Sequence, residues 1–213
     1  EKFSKKICDQ LGIEVSYYMK AVKMSKNIIE IENIADDILV YEIVETKNQH
    51  LFAVLYDRYA DSIYNKCLSF VDDKEEAQDM THDIFVKLFV KLKTYQSKSK
   101  FSTWLYSFTY NFCVNHVQRK LKIERKNYSV TDDLIDNYNE DEINDEEIFE
   151  LKIEKLNQSL KKLDVEDKSI LLMKYQDEFS IKDIASTFEI GESATKMRLN
   201  RAKNRLLTIY NAS

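Results

Sequence analysis

The 213-residue chain is long enough for one large domain or two small ones, each with its own core. Its composition is 44% hydrophobic with two glycines and no proline, which argues against tight-turn sheets and glycine-rich phosphate loops and favours helices. The net charge of −5 does not suit a protein that coats nucleic acid.

Metal, membrane and catalytic chemistry are not indicated. Cys8, Cys67 and Cys113 are odd in number and widely spaced, and the three histidines do not complete a metal-ligand set with them, so we predict reduced thiols, no metal and no cofactor. No apolar run approaches membrane-spanning length and no signal-peptide pattern is recognisable, so we expect a cytoplasmic protein without membrane insertion. Because no nucleophile and base constellation is recognisable, we do not expect an enzyme.

The negative charge is concentrated in one segment. Residues 127–150 contain ten carboxylates and no basic side chain, so the rest of the chain carries a net charge of +5. We interpret this segment as an acidic linker. The predicted organisation is an all-α protein with an N-terminal helical extension of unknown role at 1–36 and two helical domains at 37–126 and 151–213, joined by the linker.

The N-terminal extension is predicted to be an amphipathic helical segment. Cys8 lies four residues before Gly12 among apolar neighbours, a spacing that resembles the middle of a helix-turn-helix. A truncated DNA reader and a docking element for another protein are the alternatives.

The first domain is predicted to be a helix bundle. Three stripes of apolar residues at helical spacing run from Leu51 to Leu68, from Ile84 to Leu92 and from Phe101 to Val117. The outward face of the third helix is rich in hydrogen-bonding groups, namely Ser107, Asn111, Asn115, Gln118, Arg119 and Lys122. Amides can pair with base edges and cations can hold phosphates.

The loop before this third helix, residues 94–103, combines Lys98 and Lys100 with serines and with Tyr95, Phe101 and Trp104. Cations beside aromatic rings suit single-stranded nucleic acid, whose bases can stack on a ring. The alternative is that the aromatic residues anchor the loop to the core, which we favour for Phe101 and Trp104.

The second domain is predicted to end in a helix-turn-helix. Asp164 is a candidate N-cap, Ser180 with Asp183 forms a capping-box pattern, and Gly191 precedes a final helix that starts near Ser193. This helix carries five cations, Lys196, Arg198, Arg201, Lys203 and Arg205. They predict DNA phosphate contacts. A solvated face whose cations complement the helix dipole is the alternative.

The two domains resemble two regions of one protein family. Residues 51–120 are similar to the second region of the sigma-70 superfamily, specifically its extracytoplasmic-function class, and residues 160–207 are similar to the fourth region. The order of the regions is that of the family. The resemblance implies a sigma factor that binds core RNA polymerase, directs it to duplex and single-stranded promoter DNA and helps open the start-site bubble.

The resemblance also implies three sets of site residues. The polymerase-binding set is Ala77, Gln78, Asp79, Asp83, Ile84, Phe85, Lys87 and Leu88. The promoter-binding set of the first domain is Phe101, Ser102, Trp104, Asn111, Asn115, Arg119 and Lys120, and the loop pattern adds Lys98 and Lys100 to it. The promoter-binding set of the second domain is Ser193, Ala194, Lys196, Met197, Arg198 and Arg201.

The turn of the helix-turn-helix departs from the family pattern. Glu189, Ile190 and Gly191 stand where the family usually has glycine, isoleucine and serine, and Thr195 replaces a valine-like residue. A left-handed backbone would strain Glu189 by roughly 1 kcal/mol or more. A polymerase adaptor that is recruited through residues 1–36 by a DNA-targeting factor therefore stays open, as do an anti-sigma partner and an ordinary helix-turn-helix regulator.

Overall fold

The structure is a computed structural model that describes residues 34–127 and 152–212. Most of the predicted N-terminal extension and nearly all of the predicted acidic linker lie outside these residues. The described residues form helices and no strand, which confirms the all-α fold class. They belong to two compact units, one that ends at Leu105 and one that begins at Tyr106.

The described part of the first unit contains three complete helices and the start of a fourth. Their bounds are α1 Asp36–Thr46, α2 Gln49–Phe70, α3 Lys74–Lys91 and α4 Phe101–Asn127, with a 3-10 turn at Leu92–Thr94. Asn48 caps α2 by accepting from the backbone N–H of His50, and Asp73 caps α3 by accepting from those of Glu75 and Glu76. Such caps satisfy N–H groups that have no partner inside the helix.

The core of the first unit lies where α2 packs against α1 and α3. Leu39, Leu55, Ile63 and Phe85 are fully buried there. The apolar stripes predicted on α2 and α3 are therefore core. Burial of each such side chain stabilises the fold by about 1.5–3 kcal/mol relative to exposure.

The second unit is organised around its last helix. It contains the rest of α4, then α5 Ile153–Lys162, α6 Val165–Leu171, α7 Ile181–Phe188 and α8 Glu192–Ala212. A turn of π-helix at Leu172–Gln176 continues α6. The last helix, α8, packs against α5, α6 and α7, and its Leu199, Ala202 and Leu206 are buried as predicted.

The helix-turn-helix forms as its sequence signals predict. Asp164 caps α6, and Ser180 and Asp183 form a complete capping box at the start of α7. Glu189 ends α7 in the left-handed conformation, at φ 55° and ψ 38°, which confirms the strained turn expected there. The α8 helix follows after Gly191.

Candidate polymerase and nucleic-acid interface

The predicted polymerase-binding set divides into a surface and a core. Gln78, Asp79, Asp83 and Lys87 are exposed on α3. Ala77, Ile84, Phe85 and Leu88 are fully buried. The apolar members of the set are therefore not part of the surface in this structure, because they complete the core against α2. The exposed apolar side chains that α3 does present are Val86 and Val90.

The loop before α4 rests on a cluster of aromatic rings. The Phe101 ring is buried, with its centroid 5.6 Å from that of Tyr59 and 5.3 Å from that of Tyr95. The half-buried Trp104 ring lies 5.8 Å from Phe101 and 5.4 Å from Tyr95. The structure thus favours the interpretation that Phe101 and Trp104 anchor the loop, while Trp104 keeps part of its surface accessible.

Beside these rings, the loop presents its cations to solvent. Lys98 and Lys100 are exposed and Ser102 is half-buried. Ser97 has a φ of 51°, so the loop reverses through a left-handed residue just before the lysines. Exposed cations next to a partly exposed indole ring are a suitable surface for a nucleic-acid strand.

Two adjacent carboxylates at the start of α1 hold the tyrosines of the cluster. The hydroxyl of Tyr59 donates to Asp36 Oδ2 at 2.5 Å, and that of Tyr95 donates to Asp37 Oδ1 at 2.5 Å. Arg58 also donates to Asp36, at 2.7 Å. Burial, followed by the hydrogen bond to Asp37, raises the pKa of Tyr95 to about 12. The sequence reading did not single out this arrangement, because the partners are 22 to 58 positions apart.

The polar stripe on α4 faces out where it was predicted to do so. Its members Asn111, Asn115, Gln118, Arg119 and Lys122 are exposed, whereas Ser107 is half-buried. Lys120, a further member of the promoter-binding set, is also exposed. The Asn115 amide donates to the carbonyl of Asn111 at 2.7 Å, one turn earlier.

Within the second unit, parts of this stripe contact α7 and α6. Thr187 donates to the Ser107 hydroxyl at 2.8 Å, and Asn111 donates to the Thr187 carbonyl at 3.5 Å. Gln118 donates to Glu166 Oε1 at 2.8 Å. The amides are therefore held by protein groups that a base edge would have to replace.

Tyr110 is a buried member of the same helix that sequence reasoning did not identify. Its side chain is fully buried, and its hydroxyl donates to Asp177 Oδ2 at 2.7 Å. Burial and the neighbouring Asp177 carboxylate raise the pKa of the Tyr110 hydroxyl well above its usual value. This residue is a structural anchor rather than a contact surface.

The recognition helix exposes most of its predicted promoter-binding set. Ser193, Ala194, Lys196, Met197 and Arg201 are exposed over the first three turns of α8. In a helix-turn-helix, these turns reach base edges and phosphates in the major groove. The exposed side chains lie on the surface that this role requires.

Arg198, the remaining member of this set, is half-buried and already has protein partners. It forms an ion pair with Glu166, and its guanidinium lies 4.9 Å from the centre of the Phe188 ring. Glu166 is also the acceptor for Gln118. A phosphate would compete with this carboxylate for the Arg198 guanidinium.

The other two cations of α8 have structural positions. Lys203 is 7% exposed. Arg205 donates to the buried Asp167 at 2.5 Å and to the cap residue Asp164 at 3.3 Å. The cationic face predicted from five residues is therefore smaller, because these two side chains are committed to the fold.

Thr195 fits the position of a buried apolar residue. It is fully buried, and its hydroxyl donates to the Gly191 carbonyl at 3.1 Å. The polar atom is satisfied within the helix, so the departure from valine leaves the packing of the recognition helix intact.

The described residues contain neither a metal-binding cluster nor a membrane-spanning helix. Among residues 34–127 and 152–212, no group of three metal-ligating side chains is close enough to hold an ion, and the thiols of Cys67 and Cys113 are buried and not part of a disulfide. None of the helices that the structure describes is both long enough and apolar enough to cross a membrane.

Comparison with known proteins identifies the family. The model of sigma-70 region 2 matches residues 55–122, and the model of sigma-70 region 4 matches residues 153–206, which together are more than half of the chain. The ECF RNA polymerase sigma factor SigW of Bacillus subtilis (strain 168) is 24% identical over 173 residues, covering 76% of this chain and 90% of SigW. SigM of the same organism is 26% identical over 158 residues, covering 74% of this chain and 93% of SigM.

Solved structures show the same fold. The sigma factor RpoE, in its co-crystal structure with the anti-sigma factor NepR from Bartonella quintana, is 16% identical, with a TM-score of 0.55 over 76% of this chain and 98% of RpoE. CnrH, in its complex with the cytosolic domain of CnrY, is 19% identical, with a TM-score of 0.57 over 84% of this chain and 99% of that chain.

These matches define the class of the protein: the chain belongs to the sigma-70 superfamily of RNA polymerase sigma factors. Its relatives place it in the extracytoplasmic-function class of that superfamily. It is therefore a sigma factor, a DNA-binding subunit that directs RNA polymerase to promoters.

Proposed function

We propose that this sigma factor binds polymerase and promoter DNA through three separate surfaces. The exposed polar face of α3 binds core RNA polymerase, the loop before α4 together with the α4 stripe binds single-stranded promoter DNA and helps open the bubble, and the start of α8 binds promoter duplex. The observation that carries the proposal is that both family regions are present in order and each presents exposed polar residues at the matched positions.

The proposed polymerase contact uses Gln78, Asp79, Asp83 and Lys87. They project from a helix whose opposite side is fixed in the core, so the surface is rigid before binding. Charged groups on such a surface set the orientation and partner choice of a protein contact. The buried Ala77, Ile84, Phe85 and Leu88 hold the helix in place and do not themselves contact polymerase.

The proposed single-strand contact combines Lys98 and Lys100 with the accessible part of Trp104. Asn111 and Asn115 add amides that can pair with exposed base edges, and Arg119 and Lys120 add cations for the backbone. The buried Phe101 supports the surface from beneath.

The proposed duplex contact uses Ser193, Ala194, Lys196, Met197 and Arg201, with Arg198 joining when it leaves Glu166. Because both side chains of this ion pair are partly exposed, the pair is worth about 0–1 kcal/mol and a phosphate can displace it. We also propose that residues 127–150 link the two DNA-binding regions and that the protein acts in the cytoplasm.

The structural relatives suggest one further kind of partner. RpoE and CnrH are described in complexes, RpoE with an anti-sigma factor. By analogy of fold, we propose that an anti-sigma protein controls this chain. The alternative of a DNA-targeting recruiter at residues 1–36 falls on residues outside those described.

Transcription in vitro with core polymerase tests the proposal. The wild-type chain should bind core and support initiation from a promoter found by transcribing a fragmented genomic library. Asp83→Arg should lose core binding, because it places a cation where a carboxylate is exposed. Asn111→Ala should keep core binding but slow promoter opening. Glu45→Ala, an exposed carboxylate on α1, is the matched control and should behave as wild type.

The outcomes separate the hypotheses. If the wild-type chain neither binds core nor supports initiation, the proposed function is wrong. If it binds operator-like duplex tightly without polymerase, it acts as an ordinary regulator. If it binds core but initiates only when a second protein is added, the recruited-adaptor interpretation replaces independent promoter choice.

A further inference from the structure

We infer that Asp36 and Asp37, at the start of α1, are positioning residues for promoter opening. They would act through Tyr59 and Tyr95 on the aromatic support of the loop that meets single-stranded DNA. This inference rests on the proposed single-strand role of that loop. It assigns a function to α1, a helix that begins before the part of the chain matched by the region 2 model.

The geometry connects each carboxylate to the same ring. Asp36 holds the hydroxyl of Tyr59 at 2.5 Å, and the Tyr59 ring lies 5.6 Å from Phe101 in an edge arrangement. Asp37 holds the hydroxyl of Tyr95 at 2.5 Å, and the Tyr95 ring lies 5.3 Å from Phe101. The Phe101 ring is therefore supported by two tyrosines whose far ends are each bonded to α1.

Tyr95 has a second connection that reaches the loop backbone. Its hydroxyl also lies 2.8 Å from the carbonyl of Ser99, between the exposed Lys98 and Lys100. The Tyr95 ring contacts Trp104 as well, at 5.4 Å. The Tyr95 hydroxyl thus lies between the loop backbone and α1, and the Tyr95 ring packs against the partly exposed indole of Trp104.

Acidic residues in the first turn of a helix have an ordinary role, which differs from the positioning role inferred for Asp36 and Asp37. Carboxylates at a helix N-terminus stabilise the helix through its dipole whether or not they contact another residue. Near a DNA-binding surface, however, an uncompensated carboxylate repels phosphates. The charge of Asp36 is paired with Arg58, and Asp36 also accepts from Tyr59. Asp37 accepts from the neutral Tyr95 hydroxyl, which orients the carboxylate but leaves its charge. The two carboxylates are thus directed into the support of the loop.

Substitution of Asp37 should therefore affect binding of the unpaired DNA strand without affecting binding of core polymerase. Loss of the Asp37 acceptor should loosen Tyr95, Ser99 and Trp104 and so weaken capture of the unpaired strand. The polymerase-facing side chains lie on α3, whose core residues Ile84 and Leu88 remain packed. Core binding should therefore be unchanged.

The experiment uses holoenzyme made from core polymerase and the full chain. The probe is a fork-junction DNA with a randomised single-stranded arm of roughly six nucleotides, from which the wild-type holoenzyme first selects a preferred arm. Affinity for that probe and affinity for core are measured for Asp37→Ala, Tyr95→Phe, the double variant and Asp37→Asn. Glu45→Ala removes an equal charge from the other end of α1 and is the control.

We expect Asp37→Ala and Tyr95→Phe each to weaken fork binding by about fivefold, the size of one lost hydrogen bond. The double variant should lose no more than Tyr95→Phe alone, because that variant already removes the bond to Asp37 together with the contact between the hydroxyl and the Ser99 carbonyl. Asp37→Asn retains an oxygen acceptor and should recover most of the affinity. Core affinity should stay at the wild-type value throughout.

Three results would overturn the inference: wild-type fork binding by both single variants, losses that multiply in the double variant, or core affinity that falls by the same factor as fork affinity. Failure of the wild-type holoenzyme to select any arm would instead contradict the proposed single-strand function itself. The two failures are therefore distinguishable.

Discussion

Substitution of Glu189 by glycine should stabilise the helix-turn-helix. Glu189 is exposed and has a φ of 55°, where a Cβ costs about 1–2 kcal/mol. Glycine removes that cost but gives the unfolded chain more freedom, which offsets about 0.4–1 kcal/mol. The expected net gain is about 0.5–1 kcal/mol, equivalent to a two- to fivefold change in the opening equilibrium.

Hydrogen exchange of the full chain is the suitable assay. Peptides covering 181–199 should exchange two- to fivefold more slowly in Glu189→Gly, if exchange follows the local opening equilibrium. Glu189→Ala keeps the Cβ and should show no such gain. Equal protection in the two variants would refute the strain argument and indicate that loss of the carboxylate is the cause.

Three further predictions concern buried hydroxyls and an ion pair. Tyr110→Phe should lower the free energy of unfolding by about 1–2 kcal/mol, because the Asp177 carboxylate loses its 2.7 Å donor, and calorimetry of the full chain would measure it. Arg205→Met should cost about 2 kcal/mol in urea unfolding followed by circular dichroism, because it removes the guanidinium from the buried Asp167, whereas a loss no larger than that of the exposed Arg201→Met would contradict the assigned role. The pKa of Tyr95 is raised from 10.0 to about 12. The stabilisation that this shift provides should therefore be present below pH 10 and disappear as the pH rises through 12. In Tyr95→Phe, that part of the loss of stability at alkaline pH should be absent.

Local sequence signals predicted the helix starts of the second unit well. The caps at Asp164 and Ser180 depend on side chains two or three residues from the amides that they bind, so the sequence contains the complete interaction. By contrast, α1 was not recognised as a separate helix. Ala35 provides no side-chain cap that would mark the helix start. The helix is stabilised by the burial of Leu39 and Ile43 against α2, which only the tertiary structure reveals.

The site was harder to predict because exposure depends on partners that are distant in sequence. Family resemblance put Ile84 and Asp83 in one polymerase-binding set, although adjacent positions on a helix face different directions; the structure buries the first and exposes the second. Likewise, a cationic stripe on α8 did not distinguish Arg205 from Arg201. Only the position of Asp167, 38 residues earlier, shows that Arg205 belongs to the fold.

The strength of the hydrogen bonds that the α4 stripe makes within the protein determines how much they oppose promoter binding. The bond from Asn111 to the Thr187 carbonyl is at the 3.5 Å limit, so its net contribution is at the low end of about 0.5–1.5 kcal/mol. A good bidentate amide contact to a base edge discriminates by about 1–3 kcal/mol. Loss of the Asn111 bond to Thr187 is therefore a small cost to set against a base contact, so Asn111 can serve both the packing of the second unit and the proposed promoter contact. Tyr110 cannot, since its fully buried hydroxyl on Asp177 offers no surface to DNA.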